Sequence, residues 1–428
     1  MKNHFIGLLV FIVCSSCHQS AIVEKSFTDS LLAHYTSPAA ISATEKDIQF
    51  WKGRIDPQNT GLSNESRYAS SLVARFQQLG NIHDLKAADS IMQRVNTVYN
   101  AKETGPQLAL CHYSLLQHSF LQADAFLETA RKLGLKRYEL LSNSFDVDFE
   151  LGRYSNAGLY VQQMKPYADY GYFFRRSKMD HLNGRMDSAI NSMLSAAKNA
   201  SSSAHLQNVA LANAADLYIH AGRLQEAYDL YKLCVRGNAA DYHSIIGMGW
   251  IALVHDNNDS LAQQLFSFVQ TKYLLPDPLF KLYQAAQHRK DSIETARYAT
   301  AFAQQASDSL YGNMYNKYLI ELYTGVLSQP SKAVTICKRE LENRSTPQTN
   351  AWYAWSLFCN QQPAEAYALY QQSVSGKPLE GLELYWMGKM MQGLGKGYNA
   401  RAFFKEAYKN KYDLSPAMTA DLEKLIKD

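Results

Sequence analysis

The chain opens on nine consecutive apolar residues, "FIGLLVFIV" at 5–13, and then turns abruptly polar at "CSSC". A membrane-crossing helix needs about 20 apolar residues, so a run this short behind the positive Lys2 predicts a secretory signal and not a retained span. From Gln19 to about Thr44 the periodicity is weak among Ser, Thr and Ala, which predicts a tether. Beyond about Ile48, short helical patterns follow one another in pairs. An alanine recurs in the second pattern of each pair: Ala88, Ala123, Ala157, Ala189, Ala227, Ala262, Ala296, Ala333, Ala366 and Ala400, at intervals of 32–38 residues. Glycines stand five residues before it in "LGRYSNA" (Gly152), "NGRMDSA" (Gly184), "AGRLQEA" (Gly222) and "GLGKGYNA" (Gly395), the place for a left-handed turn.

Two C-terminal segments show the unit most fully. Ala366 and Ala400 are 34 residues apart, each with a large aromatic four residues later (Tyr370, Phe404) and a small residue twelve earlier (Ala354, Gly388). In "LANAADLYIHAGRLQEAYDLYKLC", Ala215 and Ala227 take the same small positions, Tyr231 fills the gap and Gly222 takes the turn. These segments resemble the tetratricopeptide repeat (TPR), whose 34-residue unit pairs two antiparallel helices through small residues where they cross. The resemblance covers about Ile48 to Lys427. It implies an all-α fold: a right-handed α-solenoid of about ten helix hairpins over residues 45–428, ended by a capping helix in "PAMTADLEKLIK". Each hairpin exposes apolar surface on both sides, and stacking removes it from water, so no separate globular domains are required.

Composition agrees with helix: Gly (22) and Pro (11) are scarce among 428 residues, of which 46% are apolar. The 43 basic and 39 acidic residues are scattered without a block of like charge, which argues against nucleic acid as a partner.

The polar stretch after the apolar run spells C-x-x-C-H at Cys14, Cys17 and His18, the pattern of covalent haem c attachment. The same residues, "VCSSC", resemble a bacterial lipobox with Cys17 as the lipidated residue. That resemblance implies cleavage after residue 16, a diacylglycerol thioether on Cys17, and residues 17–44 as lipidated N-terminus and tether. Cys14 would be discarded with the signal, so haem is rejected and no other cofactor is expected.

Catalytic chemistry is not apparent in the remainder. "GLGKGYNA" lacks phosphate-loop spacing, the histidines (His112 and His118 among them) show no metal-ligand spacing, and neither G-x-S-x-G nor S-x-x-K with its companions occurs. Cys111 and Cys234 fall at small-residue crossing positions and read as packing residues. "KPYADYGYFFRRSK" offers Tyr170, Tyr172, Arg175 and Arg176 as a candidate interface; filling between repeats, with both arginines solvated, is the favoured alternative. The TPR resemblance implies a concave groove that binds a peptide or helix, with Asn213, Asp216, Tyr353 and Trp386 as candidate lining residues. Together these readings describe a lipid-anchored, non-catalytic interaction platform in a bacterial envelope. No Asp follows Cys17, which the lipoprotein resemblance reads as outer-membrane placement, facing the periplasm. The partner would be another envelope protein or a peptide. The alternative is a glycan- or nutrient-binding outer-membrane lipoprotein on TPR-like helices; alanine intervals of at most 38 residues leave little room for the insertions such proteins carry.

Overall fold

The computed structural model describes residues 20–56, 62–395 and 399–427, and every regular element among them is helical. Cys14, Cys17 and His18 lie outside the described residues. Helices α1 (Lys25–Ala33) and α2 (Ala39–Lys52) lead into ten hairpins. The first five pair α3 (Ser63–Leu79) with α4 (Ile82–Val98), α5 (Thr104–Leu116) with α6 (Phe120–Leu133), α7 (Arg137–Glu150) with α8 (Tyr154–Met164), α9 (Tyr170–Leu182) with α10 (Met186–Asn199), and α11 (Ala204–His220) with α12 (Leu224–Gly237). The next three pair α13 (Tyr242–Val254) with α14 (Asp259–Gln270), α15 (Asp277–His288) with α16 (Ser292–Ala306), and α17 (Asn316–Thr324) with α18 (Pro330–Asn343). The last two pair α19 (Pro347–Cys359) with α20 (Pro363–Ser373) and α21 (Gly381–Leu394) with α22 (Ala400–Lys409), before a final α23 (Pro416–Lys427). The chain is an α-solenoid of stacked hairpins.

The alanine periodicity has a definite structural meaning. Ala123, Ala157, Ala189, Ala227, Ala262, Ala333 and Ala366 each stand fourth in their helix and are fully buried. The eighth residue of the preceding helix is small and buried in six hairpins: Cys111, Ser144, Ser177, Gly249, Ala354 and Gly388; in α11, Ala215 is fully buried. Where these positions cross, backbones approach closely, as when Ser177 Oγ donates to the Ala189 carbonyl at 2.7 Å. The aromatic four residues further on packs over the small residue. A Cβ on Gly249 would meet Phe266 at 2.6 Å, and one on Gly388 would meet Phe404 at 2.5 Å.

Two of the ten alanines are out of this register. Leu85, not Ala88, stands fourth in α4, although both are buried. Thr295 takes the place in α16, and Ala296 is exposed. Helix α22 starts at Ala400 itself, and Ala400 keeps the spacing of the others: Gly388 stands twelve residues before it, and Phe404, four after it, packs over Gly388. Abundant alanine lets spacing land on a neighbouring position when a bulkier residue does the packing.

The stack winds until its turns meet. Leu274 N donates to Leu79 O at 2.9 Å, joining the tip of the first hairpin to the α14–α15 connection. Asn343 Nδ2 donates to His118 O at 2.7 Å, and its Oδ1 accepts from Phe120 N at 2.8 Å. Arg344 pairs with Glu150 at 3.3 Å and with buried Glu340 at 2.7 Å. Trp250 Nε1 donates to Tyr412 O at 2.7 Å.

The expectation of a tether across residues 17–44 is corrected from Ser20 onward. The backbone amides of Ile22 and Val23 donate to the two carboxylate oxygens of buried Asp256 at 2.9 Å each, and Lys232 pairs with Glu24 at 2.8 Å. Tyr35 and Tyr242 join through their hydroxyls at 2.8 Å. Weak helical periodicity concealed these residues because their order comes from docking onto α12–α14 and not from an amphipathic face of their own.

Candidate binding face

The first helices of hairpins five to eight, and of hairpin ten, carry charged side chains that meet one another; α19, the first helix of hairpin nine, has none. Asp216 of α11 accepts from the Tyr231 hydroxyl at 2.5 Å and pairs with His243 Nε2 of α13 at 2.9 Å. His243 keeps 59% of its side-chain exposure, yet Asp216 first of all, with Asp241 and Asp277, raises its imidazole to about 9 against the cost of burial. Asp277 opens α15 and accepts from Tyr315 at 2.6 Å; burial raises its carboxyl. One turn on, Lys281 places its Nζ 3.6 Å from the centre of the Trp250 ring, and burial lowers its ammonium to about 8.

The stripe continues on α17 and α21. Lys317 pairs with Glu383 at 3.2 Å and Glu380 at 3.6 Å; burial opposes its charge, and these carboxylates more than restore it. Glu383 also accepts from Trp352 Nε1 at 2.7 Å, so Oε1 of this fully buried carboxylate is shared by two donors while its Oε2 has no hydrogen-bond partner among the described residues. His220 meets Asp413 at 2.7 Å, where the turn before α23 folds back onto α11. Helix α23 then packs against α15, so the expected cap also covers part of the inner face.

Between α15, α17, α19, α21 and α23 lies a cavity of about 290 Å³ lined by Tyr283, Glu321, Trp355, Tyr385, Trp386 and Met418, among others. Trp355 and Trp386 stack 6.1 Å apart with planes 7° from parallel. Trp355 Nε1 donates to Thr324 Oγ1 at 3.0 Å, and the Tyr385 hydroxyl donates to Asp421 at 2.7 Å, which orients both rings. Glu321 is 8% exposed, and burial raises its carboxyl to about 7.

The sequence-predicted residues distribute unevenly over these features. Asp216 lies in the charged stripe, whereas Asn213 turns its Nδ2 onto the Val209 carbonyl of its own helix at 2.8 Å. Trp386 is 2% exposed, a wall of the cavity and not an open groove residue. Tyr353 is half-buried, its hydroxyl raised by burial and influenced by Cys337 and Glu365. In the aromatic segment Tyr172 is core, packed with Leu141 and Met164, and Tyr170 packs on Phe174. Arg175 is not solvated but pairs with Asp146 at 2.5 Å, while Arg176 reaches Asp180 at 3.6 Å. That cluster joins α7 to α9 through Arg175, whose guanidinium is committed to Asp146, while Arg176 stays exposed to solvent. His243, Lys281, Lys317 and Glu321 escaped sequence reasoning. Each helix carries only one or two such charges, and only their recurrence on successive first helices could have marked them.

Among the described residues, no group of three or more His, Cys, Asp or Glu could hold a metal ion. Cys111, Cys234 and Cys337 are buried, and burial pushes each thiol up to about 12, consistent with inert packing residues.

No protein-family model matches the chain, and no curated protein matches it. Solved structures do. A human IFIT1 dimer with PPP-AAAA aligns at 12% identity and TM-score 0.48, covering 77% of each chain. A tetratricopeptide repeat protein from Parabacteroides merdae aligns at 14% identity and TM-score 0.36, over 60% of this chain and 99% of that one. The TPR domain of P58(IPK) aligns at 14% identity and TM-score 0.25, over 86% and 96%. At these identities the likeness is one of architecture alone.

Proposed function

We propose that the protein is a non-catalytic binding platform, held to a bacterial envelope membrane by lipid on Cys17, which grips another envelope protein or a peptide along its inner face. The observation that carries the reading is the set of charged pairs from Asp216 with His243 to Lys317 with Glu380, whose carboxylates and cations come from four hairpins and keep part of their exposure. Alternating charge of this kind favours complementary polar partners and sets register more than raw affinity. A stack of hairpins also provides a long surface without a deep cleft, the form suited to an extended ligand.

Docking of Ile22 onto Asp256 sharpens the anchoring. Five residues from Cys17 to Ile22 reach at most about 18 Å, so a lipid on Cys17 would hold the solenoid close against the membrane and not at the end of a long tether. Palmitate labelling of the full-length protein in a bacterial host tests the anchor: Cys17→Ser is expected to abolish it and Cys14→Ala to leave it, and equal labelling of the Cys17 variant would refute it. For the platform, crosslinking and pull-down from solubilised envelope is expected to enrich one protein, and Lys317→Glu to lose it. Saturable oligosaccharide binding with no enriched protein would instead favour the glycan-binding alternative.

A further inference from the structure

The aromatic cavity beside the stripe has a composition that the platform reading does not require. Its walls are two tryptophans and two tyrosines from three first helices, closed on one side by Met418 and Ala417 of α23. Among the described residues no donor hydrogen-bonds to the Glu321 carboxylate and no cation pairs with it, although the residue is more than nine-tenths buried. Burying a carboxylate without a partner is costly, and a stack of hairpins could have placed an apolar residue there at no loss.

The two cations closest to it are already engaged. Lys317, one turn before it on α17, is committed to Glu383 and Glu380. Lys281 of α15 lies over the Trp250 ring. On the remaining sides stand Glu383 of α21, already held by Trp352, and Asp421 of α23, which Lys389 neutralises at 3.1 Å. One buried negative charge is thus left facing aromatic walls. Aromatic faces carry negative potential, and with a carboxylate they form a site complementary to a weakly hydrated cation.

We propose that this cavity binds an organic cation, an alkylammonium or guanidinium head enclosed by Tyr283, Trp355, Tyr385 and Trp386 and neutralised by Glu321. The head is supplied either by a free small molecule or by a lysine or arginine side chain on a partner. The cavity volume of about 290 Å³ suits an alkylammonium or guanidinium head with its apolar stem. A free cation needs no protein partner, so this inference stands or falls apart from the platform reading.

Because burial raises Glu321 to about 7, the site is half-charged near neutral pH, and a bound cation draws the proton off. Binding therefore tightens as pH rises from 6 to 8. The test is a titration of the full-length protein with tetramethylammonium and butylammonium chloride, read by tryptophan fluorescence and calorimetry. Wild type is expected to saturate, with the neutral tert-butyl isostere at least tenfold weaker. Glu321→Gln should lose tenfold or more and lose the pH dependence while its thermal unfolding stays cooperative. Trp355→Phe, a milder change, should weaken binding several-fold. A lysine-bearing peptide and its acetylated form separate the sources: binding of the unmodified peptide alone assigns the head to a partner side chain, and binding of the free ammonium alone to a small molecule. Equal binding of the neutral isostere, unchanged binding by Glu321→Gln, or saturation by a neutral oligosaccharide that the cations fail to displace would overturn the proposal.

Discussion

Ten residues with positive φ mark the ten hairpin tips: Gly80, His118, Gly152, Gly184, Gly222, Asn257, Lys290, Ser328, Gln361 and Gly395. Half are glycines, for which this conformation is free; the others bear a side chain against the carbonyl that follows. Gln361, at φ 61°, should therefore gain from Gln361→Gly by about 0.5–1 kcal/mol, the relief of left-handed strain less the added chain entropy, measured by urea denaturation. Charge acts at the same scale. Glu321 titrates near 7 when folded and about 4.3 when unfolded, so its burial costs nothing below the lower value and its full penalty above the higher. Glu321→Gln should then raise stability by about 1–3 kcal/mol at pH 8 and by nothing at pH 4, checked by denaturation at both. His243 works the other way. Asp216 raises it to about 9 from an unfolded value of about 6.5, so the pair stabilises fully below 6.5 and its contribution fades as pH rises through 9. A His243→Gln variant should flatten the fall in melting temperature across that window, modestly because the imidazole is exposed.

Within a hairpin, the helices are set by one small residue against one large one. Gly388 under Phe404 is the sharpest case, since Phe404 is 2% exposed and has nowhere to move. Gly388→Ala should cost about 1–3 kcal/mol through overpacking, and Phe404→Leu in the same chain should return part of it. Chemical denaturation of the two single variants and the double variant reads the coupling; simple additivity would refute the contact. At this scale much was legible. Ala157, Ala189 and Ala227, with their glycine turns, announced the crossings because small-residue packing and left-handed turns impose fixed local spacings. Ala296 misled because Thr295, one residue before it, takes the buried fourth position of α16.

The molecule as a whole is closed by contacts between distant turns. Arg344 sits between Glu150 and Glu340 and lies over the Phe120 ring at 4.5 Å, holding the third hairpin to the eighth. Arg344→Met leaves two carboxylates without their cation and should cost about 2–4 kcal/mol by thermal or urea unfolding. Asn343→Ala removes the bonds to His118 and Phe120, and amide exchange should accelerate in residues 104–133 while residues 242–270 keep their protection. In an open array, where each unit touches only its neighbours, neither change would be felt so far along the chain.

Repeat length, hairpin count and helical class could be read from the chain because they depend on spacings within some 34 residues. Docking of residues 20–35, closure of the winding and assembly of the inner face could not. Ile22 reaches Asp256, Trp250 reaches Tyr412, and Glu321 shares its cavity with Trp386 and Met418, all across separations far longer than one repeat. Such meetings are set by the accumulated rotation of every hairpin on the next, a sum of small packing angles that no local pattern of apolar and polar residues records.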